Sequence, residues 1–422
     1  MRRRRTTTRA IAAALLAAAV VATPALAAQA DENPPSDWWY DGFGVSEVHS
    51  QGWTGAGVKI AVIDTQVNPD LPVFEGTNLT VADPLCEGGS PTSTKPTEGA
   101  VHGSDMVALL IGNGTGKGHV RGMAPDADLT FYGVSDCEKP GDVTNVLYTA
   151  IDRAVDAGNQ VISISMVTGA DGGAAAEVMA KALAAGVVIV AGSPNTADDA
   201  SQKWPWSFNG VVSVNAFGQD GKLQEDQAAS GKRVAWKETT VVAPGADFPS
   251  VDWSDSSWST ITGSSLATPL TAGVVALAAQ KFPDASGNQL IQSVIHNTTP
   301  DDHPLSRSDD GNGYGPVSLR HVLAVDPSQY PDVNPLMDKS SGKPTAEQVA
   351  QAADEASPQP IASPTGTTDA TSAPVVIDAG GGVWVPVLIG AGVVVLLVVV
   401  AVIVIVIVAS GRKKNRNAGG AA

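Results

Sequence analysis

The feature that most restricts the fold is an alternation along the chain. From Val58 onward, apolar runs of strand length take turns with stretches of helical length. Val58 to Ile63, Leu129 to Val134, Val161 to Ser165, Val187 to Ala191 and Val211 to Ala216 read as strands. Ser104 to Gly112, Val143 to Ala157 and Ala174 to Ala185 read as helices, and Thr268 to Phe282 and Ser286 to Asn297 close the domain near Val325. The strand runs are nearly continuous in apolar residues, as a strand covered on both faces requires, and intervening helices permit parallel pairing. The expectation is an α/β fold with a mostly parallel sheet. In such sheets the working groups gather beyond the carboxyl ends of the strands, and Asp64 falls at one of these ends.

Both termini stand outside this pattern. Arg2 to Arg5 precede an Ala/Leu/Val-rich run from Ala10 to Val21, with small residues at Ala25-Leu26-Ala27 and Ala28-Gln29-Ala30. Residues 1–30 therefore read as a secretory signal peptide, followed by a short Trp-rich extension over 31–52. The domain proper spans 53–325. Residues 326–382 are rich in Pro, Ala, Ser, Thr and Gly, a composition that does not offset the entropy of ordering. They read as a stalk with one short helix around Thr345 to Glu355. Val385 to Ala409 holds about 25 uncharged residues, enough at about 1.5 Å per residue to cross a hydrocarbon layer of about 30 Å. Arg412, Lys413, Lys414 and Arg416 follow at once. This predicts a C-terminal transmembrane helix over 383–409 and a basic cytoplasmic tail over 410–422. The domain would then lie outside the cell membrane on a single pass.

Setting aside the five arginines of 1–30 and the four cations of the tail leaves 17 positive side chains against 43 negative. So acidic a body repels nucleic acid and anionic lipid. Cys86 and Cys137 are the only cysteines, and both lie in the part read as exported. A disulfide closing a loop of about 50 residues is expected there, with two unpaired thiols as the alternative.

One stretch carries chemistry. In Ser259-Thr-Ile-Thr-Gly-Ser-Ser-Leu-Ala-Thr-Pro269, small residues crowd Ser265, and Pro269 is followed by the apolar run Leu270 to Ala279. A Pro just inside a helix start costs little, since first-turn amides lack an intrahelical partner. Ser265 then sits where a loop turns into a buried helix, near free backbone amides and the positive end of the helix dipole. A nucleophile whose reaction creates an oxyanion is well served there. The competing reading is a Ser that merely caps a helix.

This stretch resembles the Gly-Thr-Ser-x-Ala-Thr-Pro signature of the subtilisin-like serine proteases, with Ser264 for Thr. Asp64-Thr-Gln-Val67 resembles the family's Asp-Thr-Gly-Val or Asp-Ser-Gly-Val, with Gln66 for Gly. Val101-His-Gly-Ser-Asp-Met-Val-Ala108, read as lying just ahead of a helix, resembles His-Gly-Thr-x-Val-Ala, with Ser104 for Thr and Asp105-Met106 altered. Gly122-Met-Ala-Pro125 resembles Gly-Val-Ala-Pro. The order Asp, His, Ser is that of subtilisins.

The resemblance covers about Trp53 to Val325 and implies a subtilisin-like three-layer sandwich. It implies a serine endopeptidase with Asp64, His102 and Ser265 as triad, a peptide or protein as substrate, and no metal or organic cofactor. The likeness is greatest to the mycosins, which implies a link to a type VII secretion complex. The family's oxyanion Asn follows an Ala-Gly strand end. Here Ala191-Gly192 runs into Ser193-Pro194-Asn195, so the matching position is Ser193 and Asn195 comes two residues late. Either Asn195 or Ser193 would donate, and both stay open at this point. Ser163 to Val167 resembles the edge strand that pairs with an extended substrate. Trp204, Trp206 and Trp236 line a pocket or fill the core.

Two other function classes compete. The departures at Gln66, Ser104, Asp105, Ser193 and Ser264 all adjoin catalytic positions, which fits a pseudoprotease that binds exported polypeptides or secretion components without cutting them. A structural tether would bind no peptide.

Overall fold

The computed structural model describes residues 38–116, 119–134, 143–169, 172–197, 204–246, 248–249, 260–299 and 305–356. Nine strands organise the part that positions the site: β1 Lys59–Asp64, β2 Leu79–Val81, β3 Asp128–Gly133, β4 Val161–Ile164, β5 Val188–Gly192, β6 Val212–Phe217, β7 Glu225–Asp226, β8 Ala229–Arg233 and β9 Val241–Pro244. Seven form one sheet in the order β2-β3-β1-β4-β5-β6-β9, and β7 and β8 form a separate antiparallel hairpin. Every pairing in the large sheet is parallel, with Ile60 opposite Leu129 and Ile63 opposite Ile164.

The helices are α1 Trp38–Phe43, α2 Val45–Ser50, α3 Glu98–Ile111, α4 Val143–Asp156, α5 Gly173–Ala184, α6 Ser264–Lys281, α7 Gly287–His296, α8 Leu319–Ala324 and α9 Ala346–Ala356. Successive residues of a strand face opposite sides, so β1 feeds two cores. Ile60 and Val62 join Met106 and Leu110 of α3 and Leu270 and Val274 of α6. Ala61 and Ile63 join Leu147 and Ile151 of α4 and Met179 of α5. The result is the expected α/β three-layer sandwich. Trp204 and Trp206 are buried in the second core, and Trp236 is half-buried beside it.

Two helices begin earlier than the sequence suggests. α3 starts at Glu98, because Thr97 caps it by accepting a hydrogen bond from the Ala100 amide at 3.2 Å. Gly99 and Gly103, each costing about 1 kcal/mol against Ala in a helix, disguise that turn. His102 therefore lies within the helix and not ahead of it. α6 starts at Ser264, which leaves Pro269 inside the helix. Ser163 and Ile164 sit in the centre of the sheet between β1 and β5, so only the chain from Ser165 onward leaves it.

The chain also stays on the body after Asp326. Leu336 is fully buried, and its carbonyl accepts from the Gly210 amide at 2.8 Å. Lys339 is buried and donates to Trp206 O, Ser213 Oγ and Thr240 Oγ1 at 3.2, 2.7 and 3.2 Å, and burial pushes its ammonium down to about 7. Leu336, Lys339, backbone hydrogen bonds and the side-chain amides of Asn209, Gln289 and Gln292 fasten this segment, and none of these shows in composition. The short helix appears as α9, beside α5.

The membrane expectations are corrected. Among the described residues no helix is long and apolar enough to cross a membrane. The 18-residue α6 comes nearest in length, and its apolar side chains are buried in the protein core instead. The transmembrane helix expected over 383–409 lies outside the described residues, as do the signal peptide over 1–30 and the tail over 410–422. Among the described residues the fold class is therefore the α/β sandwich with no membrane-spanning helix, and single-pass localisation and membrane partnership find no support there. The expected Cys86–Cys137 disulfide has one of its two members, Cys137, outside the described residues, while Cys86 is half-buried against the second core and is not free.

Candidate active site

β1 delivers Asp64 to the carboxyl edge of the sheet, fully buried. Its Oδ1 accepts from the Thr65 amide at 2.7 Å and pairs with His102 Nδ1 at 2.9 Å, while Oδ2 is buried without a partner. The pairing depends on a close approach of α3 to the loop after β1. A Cβ on Gly103 would lie 2.0 Å from Gln66 O, Thr65 Oγ1 donates to Gly99 O at 2.8 Å, and Ser104 Oγ accepts from the Asn68 amide at 2.9 Å. Gly103→Ala is expected to push α3 off this loop, and a lowered melting temperature checks it. Gln66 is accommodated because its backbone is not left-handed, and its side chain donates to Ser90 O at 3.0 Å.

His102 is 35% exposed, so one edge of the ring is open. Burial alone would lower its pKa, but the charge and hydrogen bond of Asp64, with Asp105 and Glu98 behind them, raise it to about 9. Only the neutral ring accepts a proton, and the raised pKa makes that form the minority at pH 7. kcat/KM is therefore expected to climb about tenfold per pH unit between pH 6 and 8 and to level above about 9. A pH–rate profile flat above pH 7 would contradict this.

The nucleophile candidate is placed through Ser165, one residue past β4. Ile63 faces Ile164, so Asp64 and Ser165 leave neighbouring strands at the same level, about 4.8 Å apart in a sheet. Pro269 has no amide hydrogen, so the carbonyl four residues earlier, on Ser265, loses its helical partner. Ser165 Oγ replaces it, donating to Ser265 O at 2.8 Å, and Ser265 Oγ donates back to Ser165 O at 3.3 Å. Among the described residues no hydrogen bond joins His102 to Ser265. Thus the sheet edge brings together Asp64 and His102 directly, and Ser265 alongside them through Ser165. The Ser165 role was missed from sequence. The signal was present, since a Pro in the second turn of a helix that begins at Ser264 strips the Ser265 carbonyl of its partner.

The late Asn is drawn back to the same turn. Asn195 Oδ1 accepts from the Ser264 amide at 2.9 Å. Its Nδ2 lies 3.1 Å from where a Cβ on Gly263 would stand. Ser193 takes a different part: its carbonyl accepts from Ser264 Oγ, and its own hydroxyl is buried without a partner. Among the described residues no group of acidic, His or Cys side chains could hold a metal ion.

A parallel α/β sandwich with Asp–His and Ser at one sheet edge defines a hydrolase-like class. The comparisons give the family. Residues 55–315 match the subtilase family (peptidase S8), and the chain belongs to that family. Subtilisin Savinase of Lederbergia lenta is 29% identical over 264 residues, covering 61% of this chain and 90% of that one. M-protease of Shouchella clausii is 29% identical over 264 residues, and the match covers 61% of this chain and 64% of that protein's length. Among solved structures, fervidolysin of Fervidobacterium pennivorans aligns with a TM-score of 0.56 at 23% identity, covering 68% of this chain and 45% of that one. MycP1 with its N-terminal propeptide removed aligns at 0.54 and 23%, covering 70% of this chain and 99% of that one. At these identities the structural likenesses speak to fold.

Proposed function

We propose that this chain is a serine endopeptidase in which Ser265 attacks a peptide carbonyl, His102 takes and returns the proton, and Asp64 holds the imidazole. The observation that carries this reading is the 2.9 Å His102–Asp64 pair at the strand edge that also holds Ser265. As substrate enters, the Ser265 hydroxyl leaves the Ser165 carbonyl for His102 Nε2, and attack forms a tetrahedral oxyanion. Asp64 fixes the tautomer with Nδ1–H toward itself, leaving Nε2 free to accept. In this reading Asn195 is the oxyanion donor: its oxygen is occupied by the Ser264 amide, so its N–H face is the one left toward the turn. Asn195→Ala is expected to lower kcat about 10²- to 10³-fold with little change in KM. An unchanged kcat would remove Asn195 from the mechanism.

A second reading, a peptide-binding pseudoprotease, draws on the Ser265 hydroxyl being engaged with Ser165 instead of His102. Incubating the protein with a mixed peptide library and reading products by mass spectrometry separates the two. New termini that vanish with Ser265→Ala support the peptidase, and retention of intact peptides without cleavage supports the binder. Within the family, the sequence motifs favour a mycosin-like member, and the fold likeness to MycP1 is compatible with that.

A further inference from the structure

Asn195 does not stand alone. Its Oδ1 also accepts from Gln224 Nε2 at 3.1 Å, and the same nitrogen donates to Asn215 Oδ1 at 2.9 Å. Three side-chain amides are thus coupled in series, and the order of their atoms follows from the backbone at both ends. Asn195 Oδ1 must face the Ser264 amide, which can only donate, and Asn215 Oδ1 must face the Ala216 amide, which donates at 2.8 Å. Gln224 therefore meets an acceptor on each side and must present its NH₂ to both. Its own Oε1 is left buried without a partner. An unsatisfied buried carbonyl is unfavourable, and an apolar side chain would avoid it. Gln224 is fully buried, so solvation is no reason for a polar residue there.

The surroundings brace the same loop. The Gln227 amide donates to Asn195 O at 3.1 Å, and the Ala197 amide donates to Asp226 Oδ2 at 2.8 Å. Gln227 Nε2 reaches Thr262 O at 2.8 Å, on the segment leading to Ser265. The strand pair β7–β8 and the residues just before it thus hold both the Asn195 loop and the approach to the nucleophile. A loop carrying its amide two residues late needs such a hold.

We propose that Gln224 is the positioning residue for the oxyanion donor: its NH₂ pins Asn195 Oδ1 so that Asn195 Nδ2 stays turned toward the carbonyl that Ser265 attacks. This rests on the peptidase reading above. Gln224 touches no substrate and acts only through Asn195.

The test is a double-mutant cycle on peptide hydrolysis. Gln224→Met keeps an unbranched side chain of similar length and removes both donors, while Gln224→Glu sets a carboxylate against two carbonyl oxygens. Each is made in the wild-type and Asn195→Ala backgrounds. In the wild-type background each variant is expected to lower kcat about 10- to 50-fold with KM within about twofold, short of the 10²- to 10³-fold for removing the donor itself. Affinity for a peptide aldehyde, whose hemiacetal oxygen occupies the oxyanion position, should fall by the same factor. In the Asn195→Ala background neither substitution should lower kcat further. Equal losses in both backgrounds would show a merely structural role and overturn the proposal, as would no loss in either. A wild-type protein that hydrolyses nothing would overturn the peptidase reading itself, and this assignment with it. If neither variant folds, a structure of the wild type with the aldehyde bound decides. Asn195 Nδ2 on the hemiacetal oxygen with Oδ1 still on Gln224 supports the proposal, and an amide rotated off Gln224 overturns it.

Discussion

Replacing Ser265 by Ala is expected to lower peptide hydrolysis about 10⁶-fold while leaving the fold intact. The magnitude follows from the roles assigned. Without the hydroxyl there is no atom to form the acyl intermediate, and the oxyanion donors can act only on attack by water. The fold should tolerate the change, because the hydrogen bond that replaces the one missing at Pro269 uses the Ser265 carbonyl, which alanine retains. What is lost is the hydroxyl's own 3.3 Å bond to the Ser165 carbonyl, and a bond of that kind contributes about 1 kcal/mol or less. Single-turnover hydrolysis of a fluorogenic peptide, with a thermal melt of the same sample, measures both quantities. Residual activity within tenfold of the wild type would mean that another residue is the nucleophile.

Asp64→Asn is expected to produce the second largest effect, about 10⁴-fold in kcat, with a change of pH dependence. Burial pulls the His102 pKa down, and the charge and hydrogen bond of Asp64 head the influences that raise it to about 9. Removing that charge leaves only Asp105 and Glu98 to oppose burial, so the inflection in kcat/KM must move to lower pH as the maximum falls. The direction distinguishes this from general damage to the protein, which would lower the rate without moving the inflection. An inflection that stays near 9 would show that Asp64 does not set the state of His102.

Much of the architecture was legible because burial on both faces leaves a clear mark. Ile60, Val62, Ala61 and Ile63 are all apolar since β1 feeds two cores, and that continuity signals a covered parallel strand. Asp64 was legible as a strand end, and Ser265 as the start of an apolar helix. Less visible were features resting on one contact or on the backbone. The early turn of α3 was hidden by Gly99 and Gly103, residues required by the close approach to Thr65 and Gln66. The hold on residues 334–345 rests on Leu336, Lys339, backbone hydrogen bonds and the side chains of Asn209 and Asn334, and no periodic pattern announces it. The return of Asn195 was illegible for a different reason. It is enforced by Gln224, Asp226 and Gln227, some thirty residues away in sequence, through hydrogen bonds that local pattern cannot register.

The membrane expectation shows the converse. The long uncharged run lies outside the described residues, and the apolar helix that the structure does describe, α6, is buried inside the protein. Length and hydropathy say that a segment avoids water without saying what covers it.

The central claim is that Ser265 is a nucleophile activated by a His102 that Asp64 holds. Fluorophosphonate labelling with peptide mapping tests it most directly, since the probe forms a stable bond only with an activated hydroxyl. The account predicts a single adduct on Ser265, formed faster as pH rises toward 9 and abolished by His102→Ala. An adduct on another residue, or labelling of Ser265 undiminished by His102→Ala, would contradict it.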